Sequence, residues 1–193
     1  MEKPEAFGMS GFPAFKEWKA IVEGMGQGAQ SIILRKGGIS EESGTFQAKH
    51  PRFWLLPTEF HQQLERSKPE AKKYFEPTPS LIQQVAIHYW AESLHVTYLN
   101  DWEKVHSLDS FHLLKEEILK ERFEYGESLG LHLLFVRVYR LSQPVVIPWL
   151  SSYDGCKSWV DLESAPDFEK STPVIPDAAF EKISKNIFVL LGS

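Results

Sequence analysis

Residues 131–141 read Leu-His-Leu-Leu-Phe-Val-Arg-Val-Tyr-Arg-Leu, the most apolar stretch of the chain. Successive side chains of a strand point to opposite faces, so this nearly continuous apolar run would make both faces apolar. That is typical of a strand that is covered on both sides of a sheet. We therefore predict a central strand here. His132, Arg137 and Arg140 interrupt the stretch, so it is not predicted to cross a membrane.

The clearest helix precedes this strand, over residues 111–121. Ser110 can accept a hydrogen bond from a first-turn amide and so cap the helix. One apolar stripe follows the helical period and is predicted to pack on the sheet: Phe111, Leu114 and Ile118.

The region 15–36 contains a cluster of glycines between two short apolar runs: Gly24, Gly26 and Gly28. The first run alternates as a strand does, although Phe15, Trp18 and Val22 also fit a helical stripe. Because glycine permits the positive φ of tight turns, we interpret the region as a hairpin with strands at 17–23 and 30–36.

Further elements complete the prediction. Residues 53–56 form a buried strand that Pro57 stops, and Thr58 caps a helix running through Leu64. Two strands follow at 85–90 and 94–98, and a last short helix begins with Pro176 and Asp177. Because regular βαβ alternation is missing, we predict an α+β fold, a single domain with a mixed or antiparallel curved sheet and a few packed helices. We place an N-terminal tail at 1–13, the domain at 14–190 and a candidate surface excursion at 66–80.

Composition limits the function classes. The 193 residues are 42% hydrophobic and 24% charged, with a net charge of −5, so collagen-like, mucin-like and disordered chains are excluded. An acidic chain has no global positive field for phosphate backbones, and any nucleic-acid contact must be local. Cys156 is the only cysteine, which excludes an intramolecular disulfide and a cysteine-based zinc site. The first residues lead into no apolar leader segment. We expect a cytoplasmic protein without membrane contact.

One short segment has the chemistry of an anion site. The predicted strand 30–36 ends in Arg35 and Lys36, followed by Gly37 and Gly38, and exposed amides beside cations can hold a phosphate or carboxylate. The alternative is a basic hairpin end that needs glycine for its turn. Arg137 and Arg140 on the central strand are further anion-binding candidates, the alternative being structural ion pairs.

Acid–base chemistry has only weak candidates, His50 and His61, which flank the 53–58 segment. No histidine spacing matches a metal motif, so we predict no metal site and no cofactor. Glu17-Trp18-Lys19 and Glu70-Ala71-Lys72 match the D/E-x-K spacing of restriction-type nucleases, but about two such matches arise by chance. We expect Cys156 to be structural, because the sequence assigns it no partner histidine.

An ordered set of motifs resembles the family catalogued as domain of unknown function 1802. The matching segments span about residues 14–182: Lys16-Glu17-Trp18, Leu34-Arg35-Lys36-Gly37-Gly38-Ile39, Phe53 with Leu56-Pro57-Thr58 and His61-Gln62, Arg122-Phe123 with Tyr125-Gly126, Arg137-Val138-Tyr139-Arg140-Leu141, and Gly155-Cys156 with Ser158-Trp159. The resemblance transfers no catalytic residue. It implies a link to DNA restriction or another nucleic-acid transaction, because some relatives are associated with restriction-endonuclease-like domains.

Two functions follow as alternatives. The first is an accessory or binding module of a nucleic-acid system, whose cations meet phosphates on an open groove. The second is a small enzyme acting on a phosphorylated metabolite or nucleotide, with the cations and a histidine in a closed pocket. The partner is therefore a nucleic acid or a phosphorylated small molecule. Whether the chain is an enzyme, and its oligomeric state, are left open by the sequence.

Overall fold

The computed structural model describes residues 12–37, 50–59, 63–75, 83–164, 168 and 170–192. Within these ranges the strands are β1 (Phe12–Trp18), β2 (Ile32–Arg35), β3 (Arg52–Thr58), β4 (Gln84–Leu99), β5 (Leu131–Pro148), β6 (Trp159–Leu162) and β7 (Ser171–Pro173). The α-helices are α1 (Lys19–Gly26), α2 (Gln63–Arg66), α3 (Trp102–Ser107), α4 (Glu116–Glu124) and α5 (Asp177–Leu191). Short 3₁₀ turns occupy Pro69–Tyr74, Asp109–Phe111 and Ser151–Tyr153.

These strands form one mixed sheet. Its order is β2-β5-β4-β3-β1-β6, and β7 pairs with β5. The β1–β3 pair is parallel and the other pairs are antiparallel. The predicted α+β fold with a mixed sheet is confirmed.

The sheet curves until its two outer strands approach each other. At the end of β2, Arg35 donates to the backbone oxygen of Lys16 at 3.4 Å and to Ser158 Oγ at 3.3 Å, just before β6. Two register shifts interrupt the pairing of β4 with β5, and such bulges bend and twist a strand. The curvature of the sheet therefore brings together residues that are far apart in sequence, such as Arg35 and Ser158.

The predicted central strand is confirmed as β5, which lies between β2 and β4 and continues to Pro148. Leu133 and Leu134 point to opposite faces and are both fully buried. The larger core packs α1, α4 and α5 against the sheet. A smaller core forms around Trp54 and Trp90.

The predicted hairpin is wrong. Residues 19–26 are the helix α1, and β2 pairs with β5 rather than with the preceding segment. Of the alternative helical stripe only Val22 lies in a helix, since Phe15 and Trp18 belong to β1, and the predicted strand 30–36 contains β2. Gly26 is required for packing rather than for a turn, because a Cβ there would lie 2.1 Å from the ring of Tyr89.

Several predicted boundaries shift. The helix of 111–121 is α4 and begins only at Glu116, although its Ile118 is buried as predicted. The start shifts because Leu114 is held in a β-bridge with Ser67. Thr58 ends β3 and donates its hydroxyl to the backbone oxygen of Glu17 at 3.0 Å, instead of capping a helix. The two strands predicted at 85–90 and 94–98 are one strand, β4.

The candidate surface excursion at 66–80 is described as far as Phe75. In that part Ala71 and Tyr74 are buried and join the larger core beside α1. The limits of the tail and of the domain stay predictions. No helix of the described residues is long and apolar enough to cross a membrane.

Candidate functional site

A cleft of about 890 Å³ lies where several strand ends meet. Because β1 and β3 are parallel neighbours, their carboxyl ends share one edge of the sheet. The curvature of the sheet brings four further segments to this edge: the end of β2, the start of β4, the end of α4 and the segment after β5. The walls comprise residues 16–19, 35–37, 57–59, 83–86, 121–122 and 153–158, with Glu23, His88, Tyr125 and Trp149.

Charged side chains of both signs line the cleft. It contains six basic residues, Lys16, Lys19, Arg35, Lys36, Arg122 and Lys157, and five acidic residues, Glu17, Glu23, Glu59, Glu121 and Asp154. The formal charges nearly cancel, so the pairing of individual groups decides the local field.

Three of the cations are held by backbone oxygens. Lys36 Nζ donates to the carbonyl oxygens of Phe123, at 3.1 Å, and Ser128. Arg122 donates to the carbonyl of Leu34 at 3.0 Å, and Lys16 bonds carbonyls of the segment after β5. A carbonyl dipole orients a cation without neutralising its charge. These side chains therefore remain cations at the cleft.

Lys16 fastens one wall of the cleft. Its side chain is nearly buried, and Nζ donates to the carbonyl oxygens of Tyr153 and, at 2.7 Å, Gly155. Burial lowers the pKa of the Lys16 ammonium, and Asp154 partly opposes this effect. Because two carbonyls of the 153–158 segment depend on it, Lys16 is a positioning residue of this wall.

A buried carboxylate lies between the arginines. Glu17 is only 4% exposed, and its Oε1 accepts a hydrogen bond from the Trp18 amide at 2.9 Å. Its Oε2 lies 4.0 Å from the Arg35 guanidinium. This ion pair restrains Arg35 at the cleft.

Arg122 is a half-buried basic residue that stacks on an aromatic ring. Its guanidinium lies over the Trp18 ring, 5.0 Å from the centroid. Burial lowers the pKa of Arg122 to about 10, while Glu17 acts in the opposite direction. A group with that pKa stays charged at neutral pH. The stack therefore joins α4 to the end of β1 and retains a cation beside the cleft.

Two further aromatic side chains line the cleft from different walls. Tyr125 follows α4 and is 60% exposed. Trp149 follows β5, and its indole Nε1 donates to Asp154 Oδ1 at 2.8 Å. The cleft thus combines cations with aromatic surface.

The structure brings together only part of the predicted anion site. Arg35, Lys36 and Gly37 lie in the cleft, and Gly37 has a φ of 132° that favours glycine. Gly38 lies outside the described residues.

The two arginines of β5 lie outside the cleft lining. Arg137 pairs with Asp177 and lies over the Phe180 ring at 5.0 Å. Arg140 donates to the Gly26 carbonyl at 2.6 Å and lies 5.7 Å from the Tyr89 ring. Both therefore contact groups of the protein itself, Arg137 in an ion pair and Arg140 on a carbonyl oxygen.

Of the candidate acid–base histidines, only His50 is among the described residues. His50 lies edge-on to the Trp159 ring at 5.2 Å and is not in the lining. His61 lies outside the described residues. His88 is the histidine in the lining, and the sequence analysis assigned it no role. Among the described residues no group of three His, Cys, Asp or Glu side chains could hold a metal ion.

Cys156 differs from its prediction. It is exposed and lines the cleft, whereas a structural cysteine was expected to be packed.

The sequence analysis also assigned no role to several side chains of the cleft: Lys16, Arg122, Tyr125 and Lys157. The signal that could have found most of them was in the motifs of the family resemblance. The segments beginning with Lys16, Leu34, Arg122 and Gly155 are far apart in sequence, and all contribute to this cleft.

Comparison with solved structures gives a distant likeness. A crystal structure of ASCH from Zymomonas mobilis has 12% sequence identity and a TM-score of 0.46, over 92% of this chain and 96% of that chain. A mutant of the same protein gives the same identity and TM-score, over 90% and 96%. Another mutant has 11% identity and a TM-score of 0.44, over 91% and 96%. At this level the likeness supports no statement about function.

A search of curated proteins gave no match. Residues 14–186 match the family described as Domain of unknown function (DUF1802). This match covers most of the chain and agrees with the resemblance seen in the motifs. The chain therefore belongs to the DUF1802 family.

Proposed function

We propose that the chain is a binding module for nucleic acid and that the cleft receives backbone phosphates. The observation that carries the proposal is the set of cations at the cleft whose hydrogen-bond acceptors are carbonyl oxygens. Charged guanidinium and ammonium groups bind phosphate oxygens strongly where they are partly desolvated.

The outer cation of the site is Lys157. It is exposed, and it makes no hydrogen bond or ion pair with the described residues. Arg35 is the inner cation, held by Glu17 and Ser158. With so few groups available, we expect contact with about two or three phosphates, and a log–log salt slope near −2 for a single strand.

A second candidate function is binding or conversion of a phosphorylated small molecule. The cleft volume of about 890 Å³ lies within the range of roughly 300–1,000 Å³ typical of small-molecule sites. His88 would then be the histidine nearest the ligand, since it lines the cleft. The link to DNA restriction implied by the family resemblance favours the nucleic-acid function but assigns no residue.

The test is a binding assay with labelled single strands, duplexes and a panel of mononucleotides. Lys157→Ala removes an exposed cation of the cleft without removing an intramolecular bond, and Lys182→Ala on α5 is the matched control. We expect Lys157→Ala to weaken strand binding and to reduce the salt slope by about 0.7. Lys182→Ala should change neither quantity.

The outcomes separate the two functions. Affinity that rises from mononucleotide to oligonucleotide supports the nucleic-acid module. Equal affinity for a mononucleotide and a longer strand favours the small-ligand function. If Lys157→Ala binds every ligand as the wild type does, the phosphates are not bound in this cleft.

A further inference from the structure

We propose that the cleft takes an unpaired base, so that the module binds single-stranded rather than duplex nucleic acid, and that Tyr125 stacks on that base. This inference rests on the proposed function, which by itself leaves strand and duplex open. Three observations carry it: the size of the cleft, the exposure of Tyr125 and the fixed position of Trp149.

Size excludes a duplex from the interior of the cleft. A volume of about 890 Å³ corresponds to a cube with an edge of about 10 Å. The major groove of B-form DNA alone is about 12 Å wide, so the whole helix is broader than the site. A base can enter the cleft beside Arg35 only when it is free of a pairing partner.

Tyr125 presents an aromatic ring at the cleft. Its side chain is 60% exposed, and it forms no hydrogen bond or ring contact with the described residues. The next residue, Gly126, has a φ of 80° and no atom within 4 Å of an added Cβ, so the turn projects into open space. An exposed aromatic ring beside cations is the arrangement that stacks bases in single-strand binding proteins.

Trp149 supplies aromatic surface from another wall. Its backbone amide donates to the Gln83 carbonyl at 2.7 Å, and its indole is held by Asp154. The ring also packs edge-on against Tyr153, at 5.8 Å between centroids. Trp149 is therefore a preorganised surface, whereas Tyr125 is free to adjust to the ligand.

The charge arrangement agrees with this assignment. Lys157 and Arg35 lie in the same lining as the two rings, so one nucleotide can place its phosphate on a cation and its base on a ring. Stacking on an aromatic side chain contributes to affinity by roughly 5- to 150-fold per base. Because every base has a π-face, the contact does not require a particular sequence.

The experiment compares Tyr125→Leu with Tyr125→Phe. Leucine keeps apolar volume but removes the ring, whereas phenylalanine retains the ring. Three labelled probes of equal length are titrated: a single strand, an abasic strand and a duplex. We expect the wild type to prefer the single strand over the duplex by at least 10-fold. Tyr125→Leu should lose about 5-fold or more on the single strand and almost nothing on the abasic strand, and Tyr125→Phe should bind as the wild type.

Every outcome decides between the two proposals. If Tyr125→Leu binds the single strand unchanged, or loses as much on the abasic strand, the stacking assignment is wrong. If the duplex binds as tightly as the single strand while Lys157→Ala weakens both, the inference fails and the proposed function stands. If no probe binds, both fail.

Discussion

Gly26→Ala should destabilise the protein, although alanine is the better helix former. Gly26 ends α1, and an added Cβ would lie 2.1 Å from Tyr89 Cζ and 2.4 Å from both Cε atoms. The ring cannot move aside easily. Its hydroxyl donates to Glu23 Oε2 at 3.1 Å, and Arg140 packs over it while bonding to the Gly26 carbonyl.

The magnitude follows from two opposing effects. Helix propensity favours alanine over glycine by at most about 1 kcal/mol, and less at the end of a helix. Forcing a methyl group into a packed contact costs about 1–3 kcal/mol. We expect a net loss of about 1–2 kcal/mol in the free energy of unfolding, which is a fall in Tm of several degrees for a chain of this size.

Urea unfolding followed by tryptophan fluorescence measures this loss, with the exposed Gln27→Ala as the control. A double-mutant cycle with Tyr89→Leu tests the cause, because Gly26→Ala should cost much less when the ring is gone. Tyrosine titration gives a second readout. Burial, together with Glu23, raises the pKa of Tyr89 to about 12, and displacement of the ring should lower it towards 10. Stabilisation by Gly26→Ala would refute the close contact and with it the position of α1.

Three other predictions test the core, a buried histidine and the cleft. Ile118→Ala should destabilise by roughly 2–5 kcal/mol in urea unfolding, because Ile118 is buried in the larger core; a loss below about 1 kcal/mol would contradict its packing. Burial, aided by Lys68, lowers the pKa of His112 to about 4. The free energy of unfolding is therefore highest above pH 6.5, where His112 is neutral in both the native and the unfolded chain. As the pH falls from 6.5 towards 4, the unfolded chain takes up a proton that the native protein does not, and up to about 3 kcal/mol of stability is lost. His112→Gln should lose this part of the pH dependence. Cys156 should react with a thiol reagent about as fast in the native as in the unfolded protein, since it is exposed. An oligonucleotide that fills the cleft should slow this reaction. A slow reaction in the absence of ligand would show that the thiol is covered.

Much of the fold could be predicted where one periodicity dominates. The continuous apolar run of 131–141 fits a covered strand, and Pro176 with Asp177 begins the last helix as predicted. In α1 the apolar residues satisfy both periodicities, and only packing selects the helix. The absence of a side chain at Gly26 serves a contact with Tyr89, which is more than 60 residues away. No local pattern contains that information.

In the candidate site, too, one part could be predicted from the sequence and another part depends on long-range contacts. Local chemistry identifies Arg35, Lys36 and Gly37 as cations and a flexible position at a strand end, because residue type and turn propensity are properties of a short segment. Which cations face a ligand depends on long-range partners. Arg140 finds the Gly26 carbonyl 114 positions away, while Lys16 is bonded to a wall more than 130 positions away. The chain alone thus determined the chemical groups, and the curvature of the sheet decided which of them share a cleft, since it brings distant strand ends to one edge.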